Sequence, residues 1–280
     1  MSAAGRPLDA LFVVTIAVNL PGPVAAARLR ELGATVTKVE PPDGDPLEAS
    51  APAWYAELTA GQTIVRLDLK QAAHRQELDG LLELADVFLT AQRPAALERL
   101  GLGWDELHAR FPRLSHVSIV GRRSPEAGRP GHDLNYVGAR GLLAPPELPR
   151  TLGADLGGAE AAVSAALAAV VNRERTGEGT HVEVSLTDAA DRFAAPVRHG
   201  LTRPGGVLGG GYPGYGLYET ADGWVSVATL EPQFHRRLCD ELGLSELSHG
   251  ELERAFRSRT ADAWEQWAAE RDLPIEKVHA

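Results

Sequence analysis

The sequence predicts an α/β protein in two parts. Residues 1–200 form a large domain on an open parallel sheet, and residues 201–280 a smaller α+β domain of a hairpin and helices. Three observations predict this. Short β-branched apolar runs alternate with helical-period segments through residue 125, the pattern of strand–helix–strand units. An Asp222-Gly223 turn lies between two alternating strands. The glycine-dense stretch LTRPGGVLGGGYPGYG, residues 201–216, separates the two patterns as a linker or a ligand-facing loop.

Leu8–Ala17 is continuously apolar, as a strand buried on both faces should be, and Pro21-Gly22-Pro23 breaks it. VAAARLRELGA has helical spacing and stops at Gly33, and TVTKVE at 35–40 returns to strand. The unit repeats with strand 64–69, helix 71–85 and strand 86–91. Two short helices around LGLGW lead to a strand at 114–121. Such units make right-handed crossovers, so the large domain is expected to be Rossmann-like. Residues 132–143 read as a short helix. Residues 157–177, Ala-rich and apolar on nearly all sides, read as a buried helix capped by Arg173, Arg175 and Gly177. HVEVSL is a strand, GLYETADGWVSVATL a hairpin, and EPQFHRRLCDELGL and ADAWEQWAAERD are helices.

Bulk composition narrows the function. Net charge is −10 with no run of Lys or Arg, which argues against a nucleic-acid partner or an anionic membrane surface. The N-terminal apolar run is too short to span a bilayer and lacks a charged leader segment. The single cysteine, Cys239, permits no intrachain disulfide and suits a reducing cytoplasm; its helical setting reads as packing. No metal-ligand pattern, GxGxxG, GxxxxGK[ST] or GxSxG occurs, so no metal and no bound nucleotide cofactor is expected.

Three segments hold candidate chemistry. In GRPGHDLNYVGARG, His132 and Asp133 stand at a helix start; Asp133 as a cap beside an incidental His132 is the plain alternative. In RTLGADLGGAEAA, Asp155 precedes Gly157 and Gly158. It reads either as a helix cap or as a carboxylate in a place where glycines admit a ligand and free amides face an oxyanion. In ATLEPQFHRR, Glu231 precedes Pro232 at another helix start, where capping is the default.

Together these segments resemble the CoA-transferase family III group, and within it the α-methylacyl-CoA racemase branch. LPGPVAAARLRELGATVTKVEPPDGDP, ADVFLTAQRPAALERLGLGWDEL, GHDLNYVGARGLL, LGADLGGAEAAVSAALAAVVNRERTGEG and ADGWVSVATLEPQF occur in the family's order. The resemblance implies that His132, Asp155 and Glu231 are catalytic and that Asp155 matches the carboxylate the transferases use as a nucleophile. His132, with Glu231 polarising it, would work one face of a 2-methylacyl thioester and Asp155 the other. Asp133 would cap and orient. Helix-start amides would hold the enolate oxygen in a cleft between the domains.

The resemblance also places Arg93 near CoA. Where the family carries a basic pair, this chain has Ala60-Gly61-Gln62-Thr63, leaving Arg122 and Arg123 as candidates for phosphate contacts. CoA enters as part of the substrate; a carrier-protein thioester or a polyketide-like compound of secondary metabolism is the alternative. A homodimer is implied, although the family's C-terminal return segment has no counterpart in this sequence. The other readings are an isomerase or cyclase using the same bases, CoA transfer through Asp155, and a non-catalytic paralogue.

Overall fold

A computed structural model describes residues 6–279. The first five residues, the start of the stretch read above for a leader, lie outside the described residues. The chain divides into two compact units, one ending at Ala194 and one beginning at Ala195.

The first unit runs β1 (Phe12–Thr15), α1 (Pro21–Glu31), β2 (Thr35–Glu40), α2 (Pro46–Ser50), α3 (Pro52–Thr59), β3 (Thr63–Arg66), α4 (Ala72–Leu84), β4 (Val87–Thr90), α5 (Pro94–Arg99), α6 (Trp104–Arg110), β5 (Ser115–Val120), α7 (Asp133–Gly138), α8 (Gly153–Thr176), β6 (His181–Ser185) and α9 (Leu186–Phe193). Its six strands are all parallel in the order β3-β2-β1-β4-β5-β6. That is the doubly wound Rossmann-like order, with the direction of winding reversing between β1 and β4.

Strand residues alternate between two buried faces, which is why the runs read as continuously apolar. Val13, Val87, Leu89 and Val117 pack with Ala25, Leu29, Ala159, Ala162 and Ala166 of α1 and α8. Val14, Ile16 and Phe88 pack on the other face with Leu78, Leu82, Leu97 and Leu107 of α4, α5 and α6.

Proline placement sharpens the element starts. Pro21, read from sequence as a breaker, is the first residue of α1, and Pro46, Pro52 and Pro94 open α2, α3 and α5. Proline loses no hydrogen bond there. Lys38, Glu40 and Asp45 form a fully buried ion cluster that Tyr55 joins by donating to Glu40 at 2.8 Å. Asp45 Oδ1 also accepts from the Asn19 and Leu47 amides at 2.9 Å each, which holds the turn after β1 to the start of α2.

Two expectations are corrected. The helix read over 132–143 ends at Gly138, because Gly141 takes φ +73° and breaks the helical path. The α8 helix is not buried all round. Ala154, Gly158, Ala162, Ala166 and Ala169 are buried, whereas Glu160, Ser164 and Val171 face outward. By length and apolarity α8 could cross a membrane, but it lies against α1, α9, β5 and β6. Its far end is anchored where Arg173 pairs with Asp86 at 2.5 Å, and Gly177 closes it at φ +83°.

The second unit holds α10 (Ala195–Arg198), β7 (Tyr215–Glu219), β8 (Trp224–Ala228), α11 (Pro232–Leu242), α12 (His249–Phe256), α13 (Ala261–Ala269) and β9 (Ile275–Lys277). The predicted hairpin is present, with Glu219 paired to Trp224 across its turn, and β9 adds antiparallel to β8. Val225, Val227, Leu238, Phe256, Trp264 and Ile275 form its core, with the Trp264 indole donating to the Phe256 carbonyl at 2.8 Å. Cys239 is packed in that core.

Candidate active site

Parallel sheets present their carboxyl ends as a crevice at the point where the winding reverses. Two cavities open there in the first unit. One, of about 420 Å³, is walled by Ile16, Val18, Glu40, Leu67, Lys70 and Gln92. The other, of about 480 Å³, is walled among others by Asn19, Pro21, Arg93, Gly121, His132 and Tyr136. Ile16, Val18 and Asn19 follow β1, and Gln92 and Arg93 follow β4, so the two cavities take their walls from the same switch point.

His132 is the N-cap residue of α7, with its backbone at φ −133° and ψ 172°. Its amide donates to Asn135 Oδ1 at 3.0 Å, and its carbonyl accepts from the Asn135 amide at 2.9 Å. The backbone is therefore fixed on both sides while the imidazole stands exposed in the cavity wall.

Asp133 does not cap its own helix. It is buried, and its Oδ1 accepts from the amides of Ala154 at 2.7 Å and Asp155 at 3.0 Å, capping α8 from 21 residues away. Its Oδ2 is buried with no partner among the described residues. This overturns the expectation that the amides at the start of α8 are free for an oxyanion, because Asp133 already occupies two of them. It also joins the start of α8 to the start of α7, bringing Asp155 into electrostatic range of His132.

Asp155 itself is not a cap. It sits in the first turn of α8, after Gly153 and Ala154. Its carboxyl is pushed up to about 6, first by burial and then by the Asp133 charge, with His132 pulling the other way. It is not in the wall of the 480 Å³ cavity.

The glycines that follow Asp155 serve packing. A Cβ on Gly158 would meet Leu186 Cδ2 at 2.2 Å, and one on Gly157 would meet Phe193 Cε2 at 2.4 Å. Leu186 and Phe193 of α9 stand against these glycines, and Gly157 also lines a cavity of about 620 Å³ together with Leu156, Ala161 and Phe193.

Among the arginines, Arg93 lines the cavity, Arg122 lies over the Tyr136 ring at 5.3 Å, and Arg123 is paired with Asp188 at 2.5 Å. The Arg123 side chain remains largely exposed beside its Asp188 partner. Glu231 belongs to the second unit, where it is the exposed N-cap residue of α11 and its side chain makes no cap hydrogen bond.

Sequence reasoning missed Tyr136. The signal was its place four residues after His132, which puts both on one side of α7. Among the described residues there is no cluster of three or more His, Cys, Asp or Glu side chains able to hold a metal.

The sequence profile of CoA-transferase family III matches residues 8–280. The chain belongs to this family. It is 28% identical to the "probable fatty acyl-CoA transferase Rv3272" of Mycobacterium tuberculosis, over 95% of this chain and 80% of that protein. It is 31% identical to the alpha-methylacyl-CoA racemase of Homo sapiens, over 85% of this chain and 65% of the human protein. It is 30% identical to the succinate–glutarate CoA-transferase of Agrobacterium fabrum, over 91% and 71%. The crystal structure of the Mycobacterium protein superposes on this family III chain with a TM-score of 0.86, covering 99% of it and 86% of that protein. The relatives therefore include both a racemase and transferases, and the solved Mycobacterium relative shares this α/β architecture.

Proposed function

We propose that this family III protein moves the α-proton of a 2-methylacyl thioester, carried on CoA or on a carrier protein, and so acts as a racemase or epimerase. The observation that supports this is the Asp155 carboxyl, raised to about 6 and coupled to the His132 imidazole. A general base works best with a pKa near the operating pH. Two groups of different chemistry within electrostatic range of each other are what a one-carbon proton transfer requires.

In this reading one of the pair takes the α-proton and the C–H electron pair moves toward the thioester oxygen. The other returns a proton to the opposite face. Asp133 fixes Asp155 by its backbone and keeps its carboxyl basic. Arg93 offers a cation to the anionic carrier. Glu231 rests on the family resemblance alone, so Glu231→Gln is measured separately.

The test is deuterium wash-in. (2R)- and (2S)-2-methylacyl-CoA are incubated separately in D₂O. Exchange from both isomers, lowered about 10²–10⁴-fold by His132→Ala and by Asp155→Ala, supports the assignment. No exchange from either isomer ends it.

A second reading is favoured by the same half-buried Asp155 and by the transferase names of the relatives. There the carboxylate attacks the thioester carbonyl, thiolate leaves, and an acyl anhydride forms on Asp155. Hydroxylamine then traps an acyl group at Asp155, and His132→Ala leaves the trapping intact.

A further inference from the structure

Parallel strands covered on both faces are built from apolar residues. The β5–β6 end of the sheet departs from that rule. His116 of β5 is in register with Phe88 of β4 and His181 of β6, and Ser118 is in register with Glu183. These side chains share the face on which Phe88 packs with α4, α5 and α6, whereas α8 packs on the other face. A cavity of about 370 Å³ lies over them, bounded on the helix side by Leu97, Leu102 and Trp104.

The floor of this cavity is buried: Leu102 is 0% exposed, His116 2% and Ser118 5%. Its charged groups are all of one sign. Glu98, Asp105, Glu106 and Glu183 line it and no Lys or Arg does. None of the four is paired with a Lys or Arg among the described residues. Asp105 and Glu106 also suit the first turn of α6. Glu183 is held in place by Ser124, whose amide and hydroxyl donate to it at 3.0 Å each.

His116 supplies an independent observation. Phe88 and His181 stack on its ring from the two neighbouring strands at 5.3 and 4.9 Å, and Trp104 continues the row over His181 at 5.5 Å. Thr90 Oγ1 is hydrogen-bonded to His116 Nε2 at 2.9 Å, and Nδ1 is buried with no partner. What His116 still offers the cavity it lines is therefore Nδ1. With the ring proton on Nε2, donating to Thr90, that nitrogen is an acceptor. A buried polar atom left unpaired is costly. Burial pushes the His116 imidazole down to about 3 and lowers His181 as well, so neither ring supplies the positive charge that the carboxylates lack.

We propose that this cavity is a binding site for a primary ammonium ion carried on a short hydrocarbon or aryl group. The proposal is separate from the proton-transfer reading, in which no residue named here takes part. The carboxylates set the sign of the ligand. An ammonium group brings three donors, matched to carboxylate oxygens and to the imidazole lone pair. Leu97 and Leu102 receive its carbon skeleton, and the Trp104 ring adds a face that attracts a cation. A quaternary ammonium would satisfy the charge and leave Nδ1 unpaired.

The test is calorimetric titration of the full chain with phenethylamine, against phenethyl alcohol, 3-phenylpropionate and the N-trimethyl derivative of phenethylamine. Phenethylamine should bind saturably and about 10-fold more tightly than the alcohol or the quaternary ion, and the propionate should not bind. In nitrogen-edited NMR spectra it should shift the Trp104 indole signal. Equal affinity for the amine and the alcohol, or an unmoved Trp104 signal, overturns the proposal. Equal affinity for the quaternary ion overturns the assignment to a primary amine.

Glu183→Gln keeps an acceptor for Ser124 and removes the charge. It should weaken phenethylamine about 10-fold, while Glu253→Gln, at an exposed position in the second unit, leaves affinity unchanged. Equal affinities in the two variants reject the site. If Glu183→Gln folds poorly, the comparison of the four probes on the wild-type chain still decides.

Discussion

Asp133 Oδ1 accepts from the Asp155 amide at 3.0 Å, so the carboxylate that anchors the proposed base by its backbone also opposes the ionisation of its side chain. One residue sets both the position and the basicity of Asp155. Asp133→Asn separates the two effects, because the amide oxygen can still accept while the charge is gone. The Asp155 carboxyl should titrate below its present value of about 6, and the acid limb of the exchange rate should move down with it. A carbon-detected NMR titration of Asp155 reads this directly; an unmoved midpoint refutes it. Asp133→Ala instead strands two amides and should cost about 1–3 kcal/mol of stability.

Asp155 should also reduce stability as the pH rises. Its folded pKa of about 6 exceeds its unfolded value near 3.8, so the folded state binds the extra proton between those limits. The contribution favourable to folding is fully present below the lower value and is lost as pH rises through the higher one. Asp155→Asn removes this dependence. Partial exposure of the group and its place in the first turn of α8 reduce the effect to about 1 kcal/mol. That corresponds to about 2–4 °C in Tm for a chain of this size. The variant should melt higher than wild type at about pH 8 and level with it at about pH 4. Thermal melts across that range, with no difference at the alkaline end, would rule the account out.

Gly22 is required by close approach. A Cβ there would lie 2.1 Å from the Ala17 Cβ, an atom with no rotamer to move. Gly22→Ala gains helix propensity of up to about 1 kcal/mol, but crowding costs about 1–3 kcal/mol. Crowding should win, because α1 would have to shift away from the end of β1. Chemical denaturation should show a lower midpoint with an unchanged slope. Pro21 and Asn19 beside it line the candidate cavity, so ligand affinity should weaken as well.

Much of this was legible in the sequence. The alternation of Val13 and Val14, or Val87 and Phe88, between two cores produces the continuous apolar runs that mark parallel strands. Asp222-Gly223 fixed the hairpin through local turn chemistry. What escaped were relations between distant segments. The α8 cap comes from Asp133, and no local pattern near Asp155 records it. Gly157 and Gly158 looked the same on paper whether a ligand or Phe193 and Leu186 filled the space beside them. The α12 helix hides because its buried positions are only Leu252 and Phe256 among charged residues.

The same distinction separates two neighbouring cations. Arg93 lines the cavity and has no carboxylate partner among the described residues, whereas Arg123 is paired to Asp188 at 2.5 Å. Charge-assisted hydrogen bonds contribute about 1.5–3 kcal/mol each, so Arg93→Ala should weaken acyl-CoA binding about 10–100-fold. The loss should shrink at high salt, because an exposed cation is screened. Arg123→Ala frees Asp188 without touching the cavity and should leave affinity within about 2-fold, with at most about 1 kcal/mol lost from stability. Calorimetric titration of CoA into both variants at low and high ionic strength decides this. Equal losses from the two arginines would mean that the Arg123 pair opens to grip the ligand, and that cavity lining is no guide to which cations bind.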